Sequence, residues 1–289
     1  MSRVHHQFGL IGQPVKHSFS PLLFREVAKY ENLPLRYLSW EIAPSYLEDF
    51  LNWLRSSCIL GINVTLPFKE RILSYLDEVD PTARSIGAVN VVKKIGQKLH
   101  GYNSDWYGFL EAIKRLNFWP KKMLIFGGGG AARSVLYAAK MLGCQKATVV
   151  ERSPSRRLSL KKDFSFFFNV QVIGWEESLV EKEIEEADLV VNATPLGLPG
   201  ISDSFPLNFS VSGRGKLFFD LIYKFETTPF MKMGLEKGAR CANGLDMLLF
   251  QALKSLEIWT GQKTSYQSWL KAYHKISQKK NLCSTSVKE

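Results

Sequence analysis

The sequence of 289 residues has few cysteines, and its apolar residues are never gathered into a long run. Its four cysteines, Cys58, Cys144, Cys241 and Cys283, lie far apart and form no C-x-x-C pair. That spacing argues against a metal cluster and against a disulfide framework. We therefore expect no bound metal, reduced thiols, and burial of most of the four side chains. Since no run of about eighteen apolar residues occurs and the N-terminus has no apolar core, the sequence predicts neither a membrane span nor a signal peptide, and favours a cytoplasmic protein.

Negative charge is also scarce. The chain has 38 Lys and Arg against 27 Asp and Glu, a net charge of +11, which favours an acidic partner of unspecified kind. Nucleic acid is one candidate, but the basic residues are spread along the chain without a basic stretch interleaved with aromatics. Small anionic ligands fit the charge equally well. With 45% hydrophobic and 22% charged residues, the chain has the composition of a globular protein and the length for two domains.

Glycine is concentrated in the stretch Met123–Ser134, where an apolar run ends in four glycines and passes into alanine-rich sequence. This pattern predicts a strand, a tight turn and a helix. With Gly127 as the first glycine, Gly129 and Ala132 complete a G-x-G-x-x-G/A dinucleotide motif. The turn would let backbone N–H groups at the helix N-terminus bind a pyrophosphate. A glycine-rich loop alone is a weak signal, so the flanking pattern matters.

Short apolar runs alternate with helical stretches through the first third of the chain. The alternation predicts an α/β domain at residues 1–105 with a mainly parallel sheet. We expect the last two strands to form a hairpin through Gly96. The predicted elements are strands at 8–11, 37–40, 59–64, 89–92 and 98–102, and helices at 21–30 and 44–55.

The middle of the chain, residues 106–245, predicts a Rossmann-like domain. The helical pattern from Gly244 to Trp259, and the next helix to Ile276, exceed what this domain needs. We expect residues 246–289 to cross back and complete the first domain, leaving a cleft between the two, and the polar tail from Ser277 to fray. The predicted elements are helices at 106–116 and from the glycine turn to 142, strands at 147–150, 189–192 and 217–221, and a loop carrying Arg152, Arg156 and Arg157.

Two serines precede the first predicted helix. Ser20 fits an N-cap with Pro21 as the first helical residue, which needs no function. Ser18 lies two residues earlier and would be on the same side of an extended segment. The pair could therefore present two hydroxyl groups to a ligand.

Asn63, Thr65 and Lys69 follow a buried strand. Asn63 and Thr65 alternate, so both would point to one face at the end of the strand, where open α/β sheets bind ligands. If Pro67 starts the next helix, Lys69 falls in the first turn of that helix, where a cation opposes the helix dipole. An unfavourably placed cation of this kind is typical of functional sites. The alternative is that Lys69 is a solvated surface lysine.

Asn90 interrupts an apolar run, and Asp105 precedes a helix. Each has an ordinary explanation, as a satisfied buried amide and as an N-cap. With Lys69, however, they make an ionisable pair with hydrogen-bonding neighbours, all at strand ends of one domain.

The residues after the predicted strand 147–150 point to two different cofactors. Glu151 stands where an acid binds a ribose 2′-hydroxyl and favours NAD. Arg152, Ser153 and Arg156, directly beyond it, could bind a 2′-phosphate and favour NADP. A solvated charged loop is the alternative, and three arginines in six residues favour NADP.

Seven motifs occur together along nearly the whole chain, and their combination is more specific than any one of them. They are residues 16–21 (KHSFSP), 63–69 (NVTLPFK), 87–90 (GAVN), 101–105 (GYNSD), the glycine loop, 192–195 (NATP) and 243–248 (NGLDML). In this order they resemble the shikimate dehydrogenase family. The resemblance implies reversible, NADPH-dependent reduction of 3-dehydroshikimate to shikimate in aromatic amino-acid biosynthesis, without a metal.

The resemblance also implies roles for individual residues. Lys69 and Asp105 would be the catalytic pair: Lys69 would protonate the developing alkoxide, and Asp105 would orient the lysine and a substrate hydroxyl. Ser18 and Ser20 would hold the substrate carboxylate. The other substrate contacts would be Asn63, Thr65, Asn90, Tyr223 and Gln251. The cofactor contacts would be Gly127, Gly128, Gly129, Gly130, Ala131, Ala132, Glu151, Arg152, Ser153, Arg156, Asn192, Thr194, Ile222, Gly244 and Met247.

The chain departs from the family pattern at two places. Glu151 stands where the family usually has an asparagine before the arginine, which leaves NAD as a weaker alternative to NADP. Asp246 replaces a residue that is usually glycine. A paralogue acting on quinate or an aminoshikimate, and a non-catalytic sensor of NADP(H) and a carboxylate, are the alternative functions. The sensor would be expected to have lost the lysine or the aspartate, and both are present. The sequence leaves open whether the protein is a monomer or a homodimer.

Overall fold

The computed structural model describes residues 6–16, 18–166, 168–198, 200–202 and 204–285. His17, part of the first motif, therefore lies outside the described residues. The chain divides into two compact units. The first unit comprises the described residues of Met1–Arg84, Ala88–Ser104 and Leu249–Glu289, and the second unit comprises those of Ser85–Gly87 and Asp105–Leu248.

The first unit is built on a mixed six-stranded sheet. Its strands are β1 His6–Gly12, β2 Leu35–Glu41, β3 Ile59–Val64, β4 Glu78–Val79, β5 Val91–Ile95 and β6 Lys98–Tyr102. Their order in the sheet is β2-β1-β3-β5-β6-β4. The strands β1, β2 and β3 are parallel, whereas β5 is antiparallel to both β3 and β6. The predicted hairpin through Gly96 is therefore confirmed.

The second unit contains a six-stranded, fully parallel sheet. Its strands are β7 Lys122–Phe126, β8 Lys146–Val150, β9 Val170–Ile173, β10 Leu189–Asn192, β11 Leu217–Asp220 and β12 Arg240–Asn243. The order β9-β8-β7-β10-β11-β12 is the doubly wound order of a Rossmann fold, with its switch point between β7 and β10. The predicted α/β class and Rossmann-like domain are confirmed.

The helices of the chain are α1 Ser20–Tyr30, α2 Leu47–Ser56, α3 Pro81–Ile86, α4 Asp105–Arg115, α5 Gly130–Met141, α6 Pro154–Phe164, α7 Glu177–Glu186, α8 Pro229–Glu236, α9 Leu245–Thr260 and α10 Tyr266–Thr285, with 3-10 helices at Pro44–Tyr46 and Arg71–Tyr75. No helix of the described residues is long and apolar enough to cross a membrane.

Aromatic side chains attach the C-terminal helices to the first unit. Trp259 of α9 stacks on Phe8 of β1 with 4.6 Å between ring centroids. Phe24 of α1 stacks on Tyr37 and meets the edge of Trp269 of α10. Such rings bury large apolar areas and dominate core energetics. They fix α9 against the sheet, which matters because α9 carries part of the candidate site.

An ion pair supports the same arrangement. The buried carboxylate of Glu26 on α1 lies 2.8 Å from Lys275 Nζ on α10 and 2.8 Å from Lys29 Nζ. The hydrogen bonds from Lys275 and Lys29 lower the pKa of Glu26 from 4.5 to about 2. Because its folded-state pKa is depressed, the stabilising contribution of Glu26 is fully present above about pH 4.5 and is lost as the pH falls towards 2.

Three local predictions are wrong. Ser20 is the first residue of α1 rather than its N-cap, which is Phe19. Pro67 starts no helix: the Leu66–Pro67 peptide is cis, turns follow, and a 3-10 helix begins only at Arg71. The argument that Lys69 opposes a helix dipole therefore does not apply.

The third wrong prediction concerns the arginine-rich loop after β8. It ends at Ser153, whose side chain accepts from Arg156 N and caps α6, so Arg156 and Arg157 are helical. The helix was not predicted because it buries only Leu160 and Phe164 among eleven residues. It therefore lacks the apolar stripe of a typical amphipathic helix.

Two further expectations need correction. The chain beyond Ser277 does not fray at once, since α10 continues to Thr285. Of the three cysteines with described side chains, Cys144 is buried and Cys241 half-buried, but Cys58 is exposed. Burial raises the pKa of the Cys144 thiol to about 12, which makes it an unreactive thiol.

Candidate active site

The predicted polar site residues of the first unit lie at one edge of its sheet, where several strands end or begin. β1 and β3 are parallel neighbours and end there. β6 also ends at this edge and β5 begins there, because Val91 pairs with both Asn63 and Tyr102. The segments around Asn63, Asn90 and Ser104 are thereby brought together, as expected for a ligand site at strand ends.

Asn63 is held by three partners. Its Oδ1 accepts from Tyr37 Oη at 2.8 Å. Its Nδ2 donates to the Asn90 carbonyl at 3.1 Å and to Ser255 Oγ at 2.9 Å. With both donors and an acceptor lone pair used, the amide orientation of Asn63 is fixed.

Asn90 is held in the same way. Its Oδ1 accepts from Ser104 N at 2.6 Å, and its Nδ2 donates to Ser104 Oγ at 3.0 Å and to Gln251 Oε1 at 3.5 Å. Asn90 is only 2% exposed. The predicted substrate contacts Asn63, Asn90 and Gln251 thus belong to one hydrogen-bonded cluster, which also contains Ser104 and Ser255. We call these five residues the amide cluster.

Sequence reasoning missed Ser255. Its fully buried hydroxyl donates to the Gln251 carbonyl at 2.8 Å and lies 3.1 Å from Ser104 Oγ. Ser255 lies four residues after Gln251, on the same face of α9. That spacing was the one signal available, and a lone serine in an apolar helix gives no reason to read it as a site residue.

Lys69 and Thr65 lie on the loop that follows β3. The Lys69 carbonyl accepts from Val89 N at 2.7 Å, which attaches the lysine backbone to the residue that precedes Asn90. Lys69 is half-buried. Thr65 N donates to the Ile11 carbonyl at 3.0 Å, so the loop after β3 is attached to the end of β1. Lys69 therefore stands at the same edge as the amide cluster.

The two predicted carboxylate contacts follow β1. Ser20 N donates to Ser18 Oγ at 3.2 Å. Ser20 is 9% exposed and Ser18 half-buried. Since β1 and β3 are parallel neighbours, the loops that carry the serines and Lys69 leave the sheet at one edge.

Two predicted residues belong to the second unit. Asp105 is the first residue of α4 and is 5% exposed. Tyr223 is half-buried and lies three residues beyond the end of β11. Both residues are therefore parts of the second unit.

The glycine loop occupies the switch point of the second sheet. Gly127 has a φ of +99°, a value that side-chain-bearing residues rarely adopt, and Gly129 is the N-cap of α5. A Cβ at Gly127 would lie 3.0 Å from Thr194 Cγ2. Gly130 and Ala131 form the first turn of α5, and Ala132 is fully buried. Backbone N–H groups at this helix start are suited to bind a phosphate.

Glu151 lies against the glycine loop. A Cβ at Gly128 would be 2.7 Å from Glu151 Oε2, and Glu151 Oε1 accepts from Ser153 N at 2.8 Å. In Rossmann folds an acid here binds the ribose 2′-hydroxyl. Arg152 and Arg156 are exposed beside it, where they could pair with a phosphate. Both cofactor interpretations therefore remain compatible with the geometry.

The remaining cofactor candidates follow β10, β11 and β12. Asn192 ends β10, and its Oδ1 accepts from Thr194 Oγ1 at 2.6 Å. The Ile222 carbonyl accepts from Gly244 N at 3.1 Å, and a Cβ on Gly244 would lie 2.2 Å from the Leu221 carbonyl oxygen. Glycine is therefore required at 244. Met247 is buried in the core of this unit.

Asp246 now has an explanation. It lies in the first turn of α9, where a carboxylate is favourable to the helix dipole, and its Oδ2 is 3.4 Å from Arg115 Nε. Among the described residues, no group of three or more His, Cys, Asp or Glu side chains could hold a metal ion.

The sheet order and the positive φ of Gly127 fit a dinucleotide. Residues 10–92 match the family model for the shikimate dehydrogenase substrate binding domain. The NADP(+) shikimate dehydrogenase of Aquifex aeolicus is 37% identical over 261 residues, which cover 90% of this chain and 93% of that protein.

Two solved structures are similar over nearly their whole length. Shikimate 5-dehydrogenase from Thermus thermophilus, in complex with NADP(H) and shikimate, is 32% identical with a TM-score of 0.81, covering 93% of this chain and 99% of that chain. The enzyme from Listeria monocytogenes, in complex with shikimate and NAD, is 28% identical with a TM-score of 0.83, covering 94% and 98%.

Replacing Ser255 by Ala tests the amide cluster. The variant would remove the hydroxyl that accepts from Asn63 Nδ2 and lies 3.1 Å from Ser104 Oγ, so each of these buried groups would lose one hydrogen-bond partner. We expect the free energy of unfolding, measured by urea titration, to fall by about 1–3 kcal/mol. Thr260→Val is the control, since Thr260 also donates to the carbonyl four residues earlier on α9 but is half-buried. Equal effects of the two variants would show that Ser255 has no special role.

Proposed function

The chain belongs to the shikimate dehydrogenase family, and on that premise we propose that it catalyses the reversible, NADPH-dependent reduction of 3-dehydroshikimate to shikimate. This reaction belongs to the shikimate pathway, which leads to chorismate and the aromatic amino acids. The observation that carries the proposal is the amide cluster, in which three predicted substrate contacts are pre-oriented at the strand edge that also bears Lys69. In this proposal the first unit binds the substrate and the second unit binds the cofactor.

The chemistry of the substrate matches that edge. Shikimate is a small ring with several hydroxyl groups and one carboxylate. The side chains of Asn63, Asn90 and Gln251 would contact the hydroxyls, with the two asparagines as acceptors because their Nδ2 donors serve the cluster. Thr65 and Tyr223 would be further contacts. Ser18 and Ser20 offer hydroxyl donors to the carboxylate. The fixed amides need little ordering when the substrate binds, which favours affinity.

Lys69 and Asp105 are the catalytic pair in this proposal. Reduction of a ketone places negative charge on its oxygen, and an ammonium group that donates a proton to this oxygen stabilises the developing charge. Lys69 has that role. Asp105 provides the carboxylate that orients the ammonium and a substrate hydroxyl. In the reverse direction the same pair accepts the hydroxyl proton.

In this proposal the cofactor-binding residues of the second unit are the glycine loop for the pyrophosphate, Arg152, Ser153 and Arg156 for the 2′-phosphate, and Gly244 and Met247 beside the nicotinamide, with Thr194 and Ile222 as further contacts. Asn192 is fully buried, and its amide would serve the cofactor by holding Thr194. When bound, the reduced cofactor supplies the hydride. Arg152 is exposed beside the loop, and an arginine can bind a phosphate through two parallel hydrogen bonds. NADP is therefore the proposed cofactor.

The carboxylate of Glu151 supports NAD as a second, weaker cofactor, because it lies against Gly128 where an acid would bind the 2′-hydroxyl. A cytoplasmic location and the absence of a nucleic-acid partner stay predictions of the sequence.

Lys69→Ala tests the catalytic role. We expect kcat to fall by about a hundredfold or more and KM for shikimate to change much less, since a general acid acts in the transition state. Lys98→Ala is the matched control: Lys98 begins β6, at the opposite end of that strand from the amide cluster, and its exposed ammonium pairs with Glu78 at 3.7 Å. A raised KM with unchanged kcat would instead make Lys69 a binding residue.

The 2′-phosphate site is tested by paired variants. Arg152→Ala should lower kcat/KM with NADP+ by about tenfold and leave NAD+ almost unaffected, because only NADP+ carries the phosphate. Glu151→Asn should raise the ratio of NADP+ to NAD+ efficiency by removing charge repulsion. Arg214→Ala is the control for net charge, since exposed Arg214 precedes β11, at the amino edge of the sheet. Equal losses with both cofactors for Arg152→Ala would contradict the assignment.

A further inference from the structure

A second buried carboxylate lies at the carboxyl edge of the second sheet. Asp220 is the last residue of β11 and is fully buried. It accepts three hydrogen bonds: Oδ1 from Asn192 Nδ2 at 3.0 Å and from Ile222 N at 3.0 Å, and Oδ2 from Thr228 Oγ1 at 2.6 Å. Its register partner on β12 is Asn243. The groups that bond to the carboxylate from β10, from its own loop and from the residue that caps α8 are all uncharged.

The bond to Asn192 extends to the loop after β10. Asn192 Nδ2 also donates to the Leu196 carbonyl at 3.2 Å, and Asn192 Oδ1 accepts from Thr194 N and Oγ1. Thr194 in turn approaches Gly127, since a Cβ there would be 3.0 Å from Thr194 Cγ2. One side of Asp220 therefore fixes the loop that adjoins the glycine turn.

The other two bonds fix the loop after β11. Ile222 N is bound by Asp220, and the Ile222 carbonyl accepts from Gly244 N. Thr228 caps α8 by accepting from Met231 N at 3.2 Å, while its hydroxyl hydrogen goes to Asp220. The same carboxylate thus ties both ends of the segment 222–228, which carries Ile222 and Tyr223.

We propose that Asp220 is a positioning residue for the dinucleotide: without contacting the cofactor, its carboxylate fixes the two loops that present Thr194 and Ile222 to it. The inference rests on the proposed cofactor binding of this unit. Hydrogen bonds to an ionised acceptor are shorter and stronger than those to a neutral one, so the charge of Asp220 sets how firmly the loops are held.

Asp220 changes charge within an accessible pH range. Burial raises the pKa of its carboxyl from 3.8 to about 6, against the lowering effect of the hydrogen bonds from Thr228, Ile222 and Asn192. Above that pH the carboxylate accepts all three bonds. Below it the neutral acid has a proton to donate, and the Thr228 hydroxyl is the partner that can reverse its direction. The loops are then held by weaker bonds.

Asp220→Asn imitates the neutral acid and provides the test. NADPH dissociation constants are measured by fluorescence titration for the wild type and the variant between about pH 5 and pH 8. We expect the variant to bind about tenfold more weakly at the upper pH, with the difference vanishing at the lower pH. The ratio of the two constants is used because a phosphate group itself titrates with a second pKa near 6.

Two further variants separate positioning from folding. Asp188→Asn removes a carboxylate at the amino end of β10, where Oδ2 accepts from Lys121 N and Lys122 N; it should change stability without changing NADPH affinity at any pH. Thr228→Ser keeps the hydroxyl and should bind as the wild type does, whereas Thr228→Val should bind about tenfold more weakly. The Thr228 pair keeps the test available if Asp220→Asn does not fold.

A folded Asp220→Asn variant that binds NADPH as tightly as the wild type at the upper pH would overturn the inference, as would wild-type affinity in Thr228→Val. A ratio of constants that stays the same across the pH range would also overturn it, since a purely structural role predicts that result. A wild-type protein that fails to bind NADPH would instead overturn the proposed function on which the inference rests.

Discussion

Polar groups buried at the ends of strands must find hydrogen-bond partners, and this requirement governs both units of the protein. An unpaired buried donor or acceptor costs about 1–3 kcal/mol, a large part of the stability of a domain. In the first unit the requirement is met by the amide cluster, where Asn63 and Asn90 are satisfied by Ser104, Ser255 and Gln251. In the second unit Asn192, Asp220 and Thr228 satisfy one another. Both clusters fix side chains or loops that the proposed reaction needs.

The two clusters differ in chemistry, and the difference matches the proposed ligands. The amide cluster consists of neutral amides and hydroxyls, which suit a ring with several hydroxyl groups. The second cluster surrounds a carboxylate and orders backbone, which suits a long cofactor bound mainly by loops. Glu151 adds another carboxylate at the glycine turn, where it opposes the 2′-phosphate that Arg152 would bind. In the proposed function, cofactor choice is therefore a balance between two neighbouring side chains.

Much of the fold could be predicted because its signals are local. The apolar run before Gly127 and the alanine-rich helix after it define β7 and α5 without tertiary information. The helix α6 was missed because its exposed face is long and its apolar face holds only Leu160 and Phe164. Pro67 was misread because a proline that starts a helix and one that lies in a turn have the same sequence neighbours. The candidate site residues came from motifs, whereas Ser255 and Asp220 gain their meaning from partners that include residues distant in sequence: Asn63 and Ser104 for Ser255, and Asn192 for Asp220.

The central claim is that this chain is a shikimate dehydrogenase whose first unit recognises the substrate and whose second unit carries NADP(H). Its most direct test is to follow NADPH absorbance with 3-dehydroshikimate, and the reverse reaction with shikimate or quinate and NADP+ or NAD+. The account predicts NADPH consumption with 3-dehydroshikimate, reduction of NADP+ with shikimate, and slower turnover with NAD+ or quinate. No turnover by the wild-type protein with any of these pairs would contradict it.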